Sequence, residues 1–179
     1  MSEVKDKSQA VDSPAFWKER IREAAVNGNI RHSVFRAPEH YWAAALENHK
    51  YIIDTHTDFS DKILDAGCGY GRASEFIKCD GYMGVDQSPD FIHEAKLRYG
   101  DKEFMVCDLA DMPFEDDCFD LSICISLMIM VVQNLGWSRW EPIQNELLRV
   151  SKRGVLCLEY GAGDTDTSSD THFLIKKYQ

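Results

Sequence analysis

The chain has no apolar run long enough to span a bilayer. Its longest, Leu121 to Val132, is 12 residues with two serines in it, against the roughly 20 that a transmembrane helix needs. The first ten residues, MSEVKDKSQA, lack the apolar segment of a secretory signal, so the expected location is cytoplasmic. No two of the six cysteines stand close in sequence, which leaves neither a zinc-ligand spacing nor a disulfide framework. Cys107, Cys124 and Cys157 fall in or beside predicted strands and read as small reduced core residues. A basic excess is missing too: 20 Lys+Arg face 30 Asp+Glu, a net charge of −10, the opposite of what a general phosphate-backbone binder shows. What is present is 44% hydrophobic residues in 179, too apolar for a disordered chain and suited to one domain with a real core.

The charge is concentrated. Residues 61–120 carry 6 basic and 15 acidic side chains, whereas the flanking thirds are close to neutral. Residues 1–12 read as a polar tail, 13–57 as N-terminal helices, and 58–179 as an α/β core. Ser13-Pro14 predicts a helix start, with Trp17, Ile21 and Ala24 on one face and Gly28 at the end. A second helix is expected over Pro38 to Ile53, after an irregular link. From Lys62, short apolar runs alternate with helical ones. Strands are predicted at Lys62–Ala66, Tyr82–Asp86, Glu103–Cys107, Asp120–Ile125 and Gly154–Tyr160. Ser88-Pro89 should cap one helix, and Ser138-x-x-Glu141 reads as a capping box for another. This alternation predicts a doubly wound, mostly parallel sheet with helices on both faces.

The chemistry sits at strand ends. In Ile63-Leu64-Asp65-Ala66-Gly67-Cys68-Gly69-Tyr70-Gly71-Arg72, a strand feeds a loop with glycine at every second position, and a helix is expected to follow. The dinucleotide fingerprint would put a third glycine where Arg72 stands. Asp65, a carboxylate just before the loop, repels a pyrophosphate but holds an ammonium group. Gly84-Val85-Asp86 ends the next strand with an acid able to accept from both hydroxyls of a ribose. Cys107-Asp108 ends the third, where an acid can accept from the exocyclic amine of adenine and Leu109 and Met112 can sandwich the flat base. Three acids at three successive tips suit a ligand that is cationic at one end, with ribose between and adenine at the other. S-adenosylmethionine has that layout.

From Ile63 to Tyr160 the chain resembles class I S-adenosylmethionine-dependent methyltransferases, closest to the small-molecule branch that includes quinone methyltransferases. The resemblance rests on four ordered motifs: Leu64 to Gly71; Gly84-Val85-Asp86; Asp108-Leu109-Ala110-Asp111-Met112-Pro113-Phe114; and Phe119-Asp120-Leu121. It implies the family's seven-stranded Rossmann-like fold and methyl transfer that leaves S-adenosylhomocysteine. It also implies a cofactor held by Asp65, Gly67, Cys68, Gly69, Gly71 and Arg72 around the first strand tip. Asp86 and Gln87 would serve at the second tip, Asp108, Leu109 and Ala110 at the third, and Ile125 at the fourth. No metal is implied.

Two departures bear on function. Ser126-Leu127-Met128-Ile129-Met130 stands where this branch often has a histidine shortly after the fourth strand. The chain also runs only about 20 residues past the fifth strand, so the C-terminal antiparallel pair is expected to be short or missing. Thr171–Tyr178 could supply one edge strand at most. Candidate acceptor-side groups are Glu159, Tyr160, Gln133, Asn134, His32 and His40, none singled out as catalytic. The motifs of amino-methylating and cytosine-C5 DNA enzymes are absent, which argues against duplex DNA and for a small-molecule acceptor. Two other readings stay open: a cofactor-binding module or regulatory subunit without turnover, and an NAD-dependent oxidoreductase, which Arg72 and Asp65 disfavour.

Overall fold

A computed structural model describes residues 14–34, 39–159 and 171–176. Helices α1 (Pro14–Val26), α2 (Arg31–Val34) and α3 (Glu39–His56) precede the sheet. Then come β1 (Lys62–Ala66), a 3₁₀ turn at Arg72–Glu75, β2 (Gly81–Asp86), α4 (Pro89–Arg98), β3 (Glu103–Val106) and β4 (Leu121–Ile125). Helices α5 (Leu127–Leu135) and α6 (Trp137–Val150) lead to β5 (Gly154–Glu159) and β6 (Thr171–Lys176). The strand order is β3-β2-β1-β4-β5-β6; the first five are parallel and β6 runs antiparallel to β5.

Both faces of the sheet are covered, and the strand period of two divides the residues between them. Ile63, Leu121, Ile123, Leu156 and Leu158 pack with Ile52 and Ile53 of α3 and Ile92 of α4. Leu64, Cys124, Val155 and Cys157 face the other way, against Trp140, Ile143, Leu147 and Val150 of α6. Each fully buried aliphatic side chain contributes about 1.5–3 kcal/mol. Chain order reverses between β1 and β4, and in open parallel sheets the crevice beyond such a switch point is where ligands bind.

The fold class agrees with the sequence reading, including the single antiparallel edge strand. The described residues form six strands rather than the family's seven. Ser88 caps α4 as expected, its hydroxyl accepting from the Phe91 N–H at 3.3 Å. Ser13 and residues 35–38 lie outside the described residues, and the link expected to be irregular over Asn29 to Ala37 carries the short helix α2 (Arg31–Val34) in its described part.

Two local expectations are corrected. The glycine loop opens no α-helix: only the Arg72–Glu75 turn forms, because Phe76, Ile77 and Cys79 are drawn at once into the core beneath α3. The Ser138–Glu141 box does not form, since Gly136 both ends α5 and begins α6, leaving Ser138 inside the helix with no side-chain cap. The apolar stretch Leu121 to Val132 is one strand and one helix, broken at Ser126, whose φ of 59° turns the chain.

The loop after β3 is pinned to α6 by Arg149. Its guanidinium donates to the carbonyl oxygens of Phe114 (2.7 Å) and Met112 (3.1 Å) and to the carboxylates of Glu146 and Asp116. Arg149→Met should therefore lower unfolding free energy by about 1–3 kcal/mol in urea, because two carbonyls lose a charged donor.

Candidate functional site

The loop after β1 is built from inside. Gly67, Gly69 and Gly71 all have positive φ (70°, 55° and 82°), which a side chain would strain. At Gly71 a Cβ would also lie 2.9 Å from the Phe104 ring. The N–H groups of Gly67 and Cys68 both donate to the Val85 carbonyl oxygen, at 2.8 and 3.0 Å. That of Gly71 donates to Cys68, and that of Gly69 to the Asp86 carboxylate at 2.9 Å. Four donors that a phosphate-binding loop would aim at its ligand are thus spent on the protein. This differs from the expectation of backbone N–H groups facing a ligand.

Acids take the position of those donors. Asp65, near the end of β1 and 2% exposed, accepts from the Tyr82 hydroxyl at 2.6 Å through Oδ2. Gly84 makes that bond reachable: a Cβ there would come within 3.0 Å of the Tyr82 hydroxyl and 2.6 Å of Phe104. Burial pushes the Asp65 carboxyl up to about 6, against the Tyr82 hydrogen bond and the nearby Arg72 charge. Asp86 ends β2 and accepts one N–H on each oxygen, from Gly69 and from Ser88 at 2.9 Å. Burial raises it also to about 6. Each Asp86 oxygen keeps a second lone pair.

The other predicted residues divide. Cys68 is buried in the loop, its thiol pushed up by burial, and half-buried Arg72 follows Gly71 directly. Gln87 lies half-buried just past β2, and Ile125 half-buried at the end of β4. Asp108 stands at the β3 tip but is exposed, accepting from the Ala110 N–H at 3.0 Å and lying 3.6 Å from Arg139. Leu109 and Met112 are 7% and 4% exposed and sit in the α6-side core. Their side chains therefore cannot sandwich a base, because the turn after β3 directs both inward. Asp120, from the fourth motif, holds the opposite end of the sheet: it accepts from the Lys62 N–H and from Lys152 Nζ, both at 2.8 Å.

Acceptor-side candidates fare unevenly. Glu159 ends β5, 3% exposed, and caps α5 by accepting the Met128 and Ile129 N–H groups at 3.2 Å each. Burial raises its carboxyl to about 7. Ser126 beside it has a buried hydroxyl with no hydrogen-bond partner among the described residues. Asn134 turns back to the Met130 carbonyl, and Gln133 is exposed. Tyr160 and the side chains of His32 and His40 lie outside the described residues.

The raised Glu159 has a testable consequence. The native state binds a proton here that the unfolded chain has released, so this stabilising contribution is complete below pH 4.5 and fades as pH rises through about 7. Wild type should lose on the order of 2 kcal/mol more than Glu159→Gln between pH 5 and pH 8, measured by urea unfolding.

Of the α3 residues that reach this site, sequence reasoning placed Trp42 on the helix's apolar side and as an aromatic wall for an acceptor, and missed His49. Trp42 (2% exposed) and His49 (1% exposed) stand seven residues apart on the buried face of α3. The Arg72 guanidinium lies over the Trp42 ring, 5.0 Å from its centroid. His49 is held neutral by burial and by the Arg72 charge, its pKa lowered to about 3. The helical spacing of Trp42 and His49 was a usable signal.

The family model described as a methyltransferase domain matches residues 64–158, from β1 through β5. The chain belongs to the methyltransferase domain family. A protein of Encephalitozoon cuniculi, named a methyltransferase by assignment, is 27% identical over 159 residues, covering 88% of this chain and 70% of its own length. Among solved structures, a TehB-like SAM-dependent methyltransferase from Corynebacterium glutamicum is 28% identical with a TM-score of 0.54, covering 84% of this chain and 76% of that one. A SAM-dependent methyltransferase from Methanosarcina mazei is 26% identical with a TM-score of 0.54, over 62% of this chain and 57% of that one. The chain spans about half the length of several solved structures it matches, from 46% to 57%. In this methyltransferase domain, no helix among the described residues is long and apolar enough to cross a membrane.

Proposed function

We propose that this methyltransferase domain binds S-adenosylmethionine across the tips of β1, β2 and β3 and directs its methyl group to a small-molecule acceptor. The observation that carries the reading is the reversed polarity of the glycine loop. Its N–H groups at 67, 68, 69 and 71 are consumed internally, and Asp65 and Asp86 flank it. Such a site rejects a pyrophosphate and accepts a cation, which separates it from a dinucleotide site. The residues fit the donor: Asp65 Oδ1 accepts no hydrogen bond among the described residues and suits an ammonium group, and the two spare lone pairs of Asp86 suit two ribose hydroxyls. The named relatives from Corynebacterium and Methanosarcina support the same cofactor.

When bound, S-adenosylmethionine supplies a methyl group on a sulfonium that is already activated. The chain's own residues therefore work by placement, and holding acceptor and methyl in line contributes roughly 7–11 kcal/mol. Asp65 and Asp86 favour the cationic donor over the less positive product, which assists exchange rather than the transfer itself. Glu159, half-ionised near neutral pH, is the carboxylate at the β5 tip that can hold a proton.

Isothermal titration with S-adenosylmethionine and S-adenosylhomocysteine tests the cofactor, and folded protein giving no heat with either overturns it. Affinity for S-adenosylmethionine should fall as pH drops below about 6, since protonated Asp65 and Asp86 no longer attract its charge. For the acceptor, labelled cofactor is offered with a metabolite extract, duplex DNA and RNA. Label confined to either nucleic acid overturns the small-molecule assignment, and binding without transfer to any of the three marks a non-catalytic module.

A further inference from the structure

Three buried carboxylates stand at the C-terminal tips of the strands; Asp65 and Asp86 belong to the donor site, and Glu159 on β5 is left over. Its oxygens accept one N–H each from α5, and each keeps a second lone pair. Burial raises the carboxyl to about 7 against those two bonds, and no charged side chain among the described residues shifts it. α5 carries no ionisable side chain, and β6 meets Glu159 through its backbone register with Thr171. On β4 the titratable neighbour is the Cys124 thiol, kept protonated by its bond to Cys157, by burial and by the Glu159 field. Two local costs meet at Ser126, whose N–H donates to the Leu158 carbonyl at 2.8 Å and so holds it beside Glu159. Its φ of 59° lies in the left-handed region, and its shielded hydroxyl has no hydrogen-bond partner among the described residues. Such costs persist where a ligand completes the group. The same turn reaches the glycine loop, since a Cβ on Gly67 would lie 2.9 Å from Leu127. Ile129 and Met130, next along α5, are half-buried yet pack into neither core among the described residues.

We propose that Glu159 takes the proton of the methyl acceptor, that the Ser126 hydroxyl orients its reacting heteroatom by a hydrogen bond, and that Ile129 and Met130 hold its apolar body. The assignment rests on the proposed methyl transfer and names the acceptor class: an apolar molecule, uncharged or cationic, with a protic oxygen, nitrogen or sulfur. An anionic acceptor is disfavoured, because its charge would meet those of Asp65, Asp86 and Glu159. In the step, the heteroatom bonds the methyl carbon and its proton passes to a Glu159 oxygen. The electron pair of the broken carbon–sulfur bond stays on sulfur. Only ionised Glu159 can take the proton, so the rate follows its titration.

Transfer is followed with saturating labelled S-adenosylmethionine and a metabolite extract, and the labelled products are separated by anion exchange and reverse phase. Label should enter products that reverse phase retains and anion exchange does not. The wild-type rate should rise about tenfold from pH 6 to pH 8, as a carboxyl titrating at about 7 ionises. Glu159→Gln should be at least about 100-fold slower and lose that rise. Its affinity for S-adenosylhomocysteine, by calorimetry, should stay within a few-fold of wild type. Ser126→Gly removes both local costs, so it should unfold at higher urea yet transfer more slowly, a split that a merely structural residue would not give. Label confined to anionic products overturns the acceptor class. A wild-type rate flat with pH overturns Glu159 as the proton acceptor and decides the matter where the Gln variant fails to fold; Glu159→Gln at the wild-type rate does the same. Ser126→Gly at the wild-type rate removes Ser126 from the site. A wild type that binds S-adenosylhomocysteine and labels nothing overturns the transfer itself instead.

Discussion

Asp86→Ala should weaken S-adenosylhomocysteine binding at least about 100-fold, because it removes the acceptor of two charge-assisted hydrogen bonds worth about 1.5–3 kcal/mol each. The loss has a second source in this fold. Asp86 also receives the Gly69 and Ser88 N–H groups, so the alanine variant releases the glycine loop from the β2 tip. Asp86→Asn retains one acceptor oxygen, yet its amide nitrogen must face one of those two backbone donors. Its affinity should fall between wild type and alanine. Asp90, in the first turn of α4, is the control: its alanine variant should bind within a few-fold of wild type. Titration calorimetry on the three variants reads this directly, and an Asp90→Ala loss equal to that of Asp86→Ala would remove Asp86 from the ribose site.

Gly154→Ala should cost the largest stability of any single methyl addition in the domain. Gly154 begins β5 at a φ of 131°, and a Cβ there would lie 2.0 Å from the Ile175 carbonyl oxygen in β6. That oxygen is backbone, so relief requires the edge strand to move, and the positive φ strains alanine in any case. We expect a loss of about 3–5 kcal/mol and exposure of the β5 edge, seen as a lower urea midpoint and faster amide exchange along 154–159. Gly136→Ala is the informative comparison. Its φ of 86° is strained as well, but no atom lies within 4 Å of the added carbon, so only the conformational cost of about 1–2 kcal/mol should appear. Similar losses in the two variants would mean that the β5–β6 contact is not as close as described.

The elements that could be read from the chain are those whose local signals are unopposed. β1 is found at Lys62–Ala66 as expected because Ile63, Leu64 and Ala66 form a short apolar run, interrupted only by Asp65, that is buried on both faces. Ser88-Pro89 caps α4 because both residues act within one turn of themselves. Where neighbours compete, local signals lose. The Ser138 box has the right spacing, but Gly136 takes the cap position, so the helix starts too early for it. In the Leu121 to Val132 stretch, apolar but for two serines, the strand was expected to end at Ile125, whereas periodicity alone does not show the helix that follows Ser126.

At the site the division follows the same physics. Asp65, Asp86 and the three glycines were legible because acids at strand ends and glycine at positive φ are demands of single positions. The side-chain direction of Leu109 and Met112 was not, since the turn after β3 is set by Arg149, more than thirty residues away. Nor could sequence show that the loop's N–H groups are turned to Val85 and Asp86, because that depends on the register of β1 against β2. Trp42 and Arg72 are thirty residues apart and meet only because α3 packs over the 3₁₀ turn. Composition and local pattern thus determined the α/β class and the acidic strand tips, each a matter of the residue itself and its near neighbours. The inward donors, the buried leucine and the guanidinium held over tryptophan were decided by the tertiary structure, because each depends on contacts that exist only after distant segments pack.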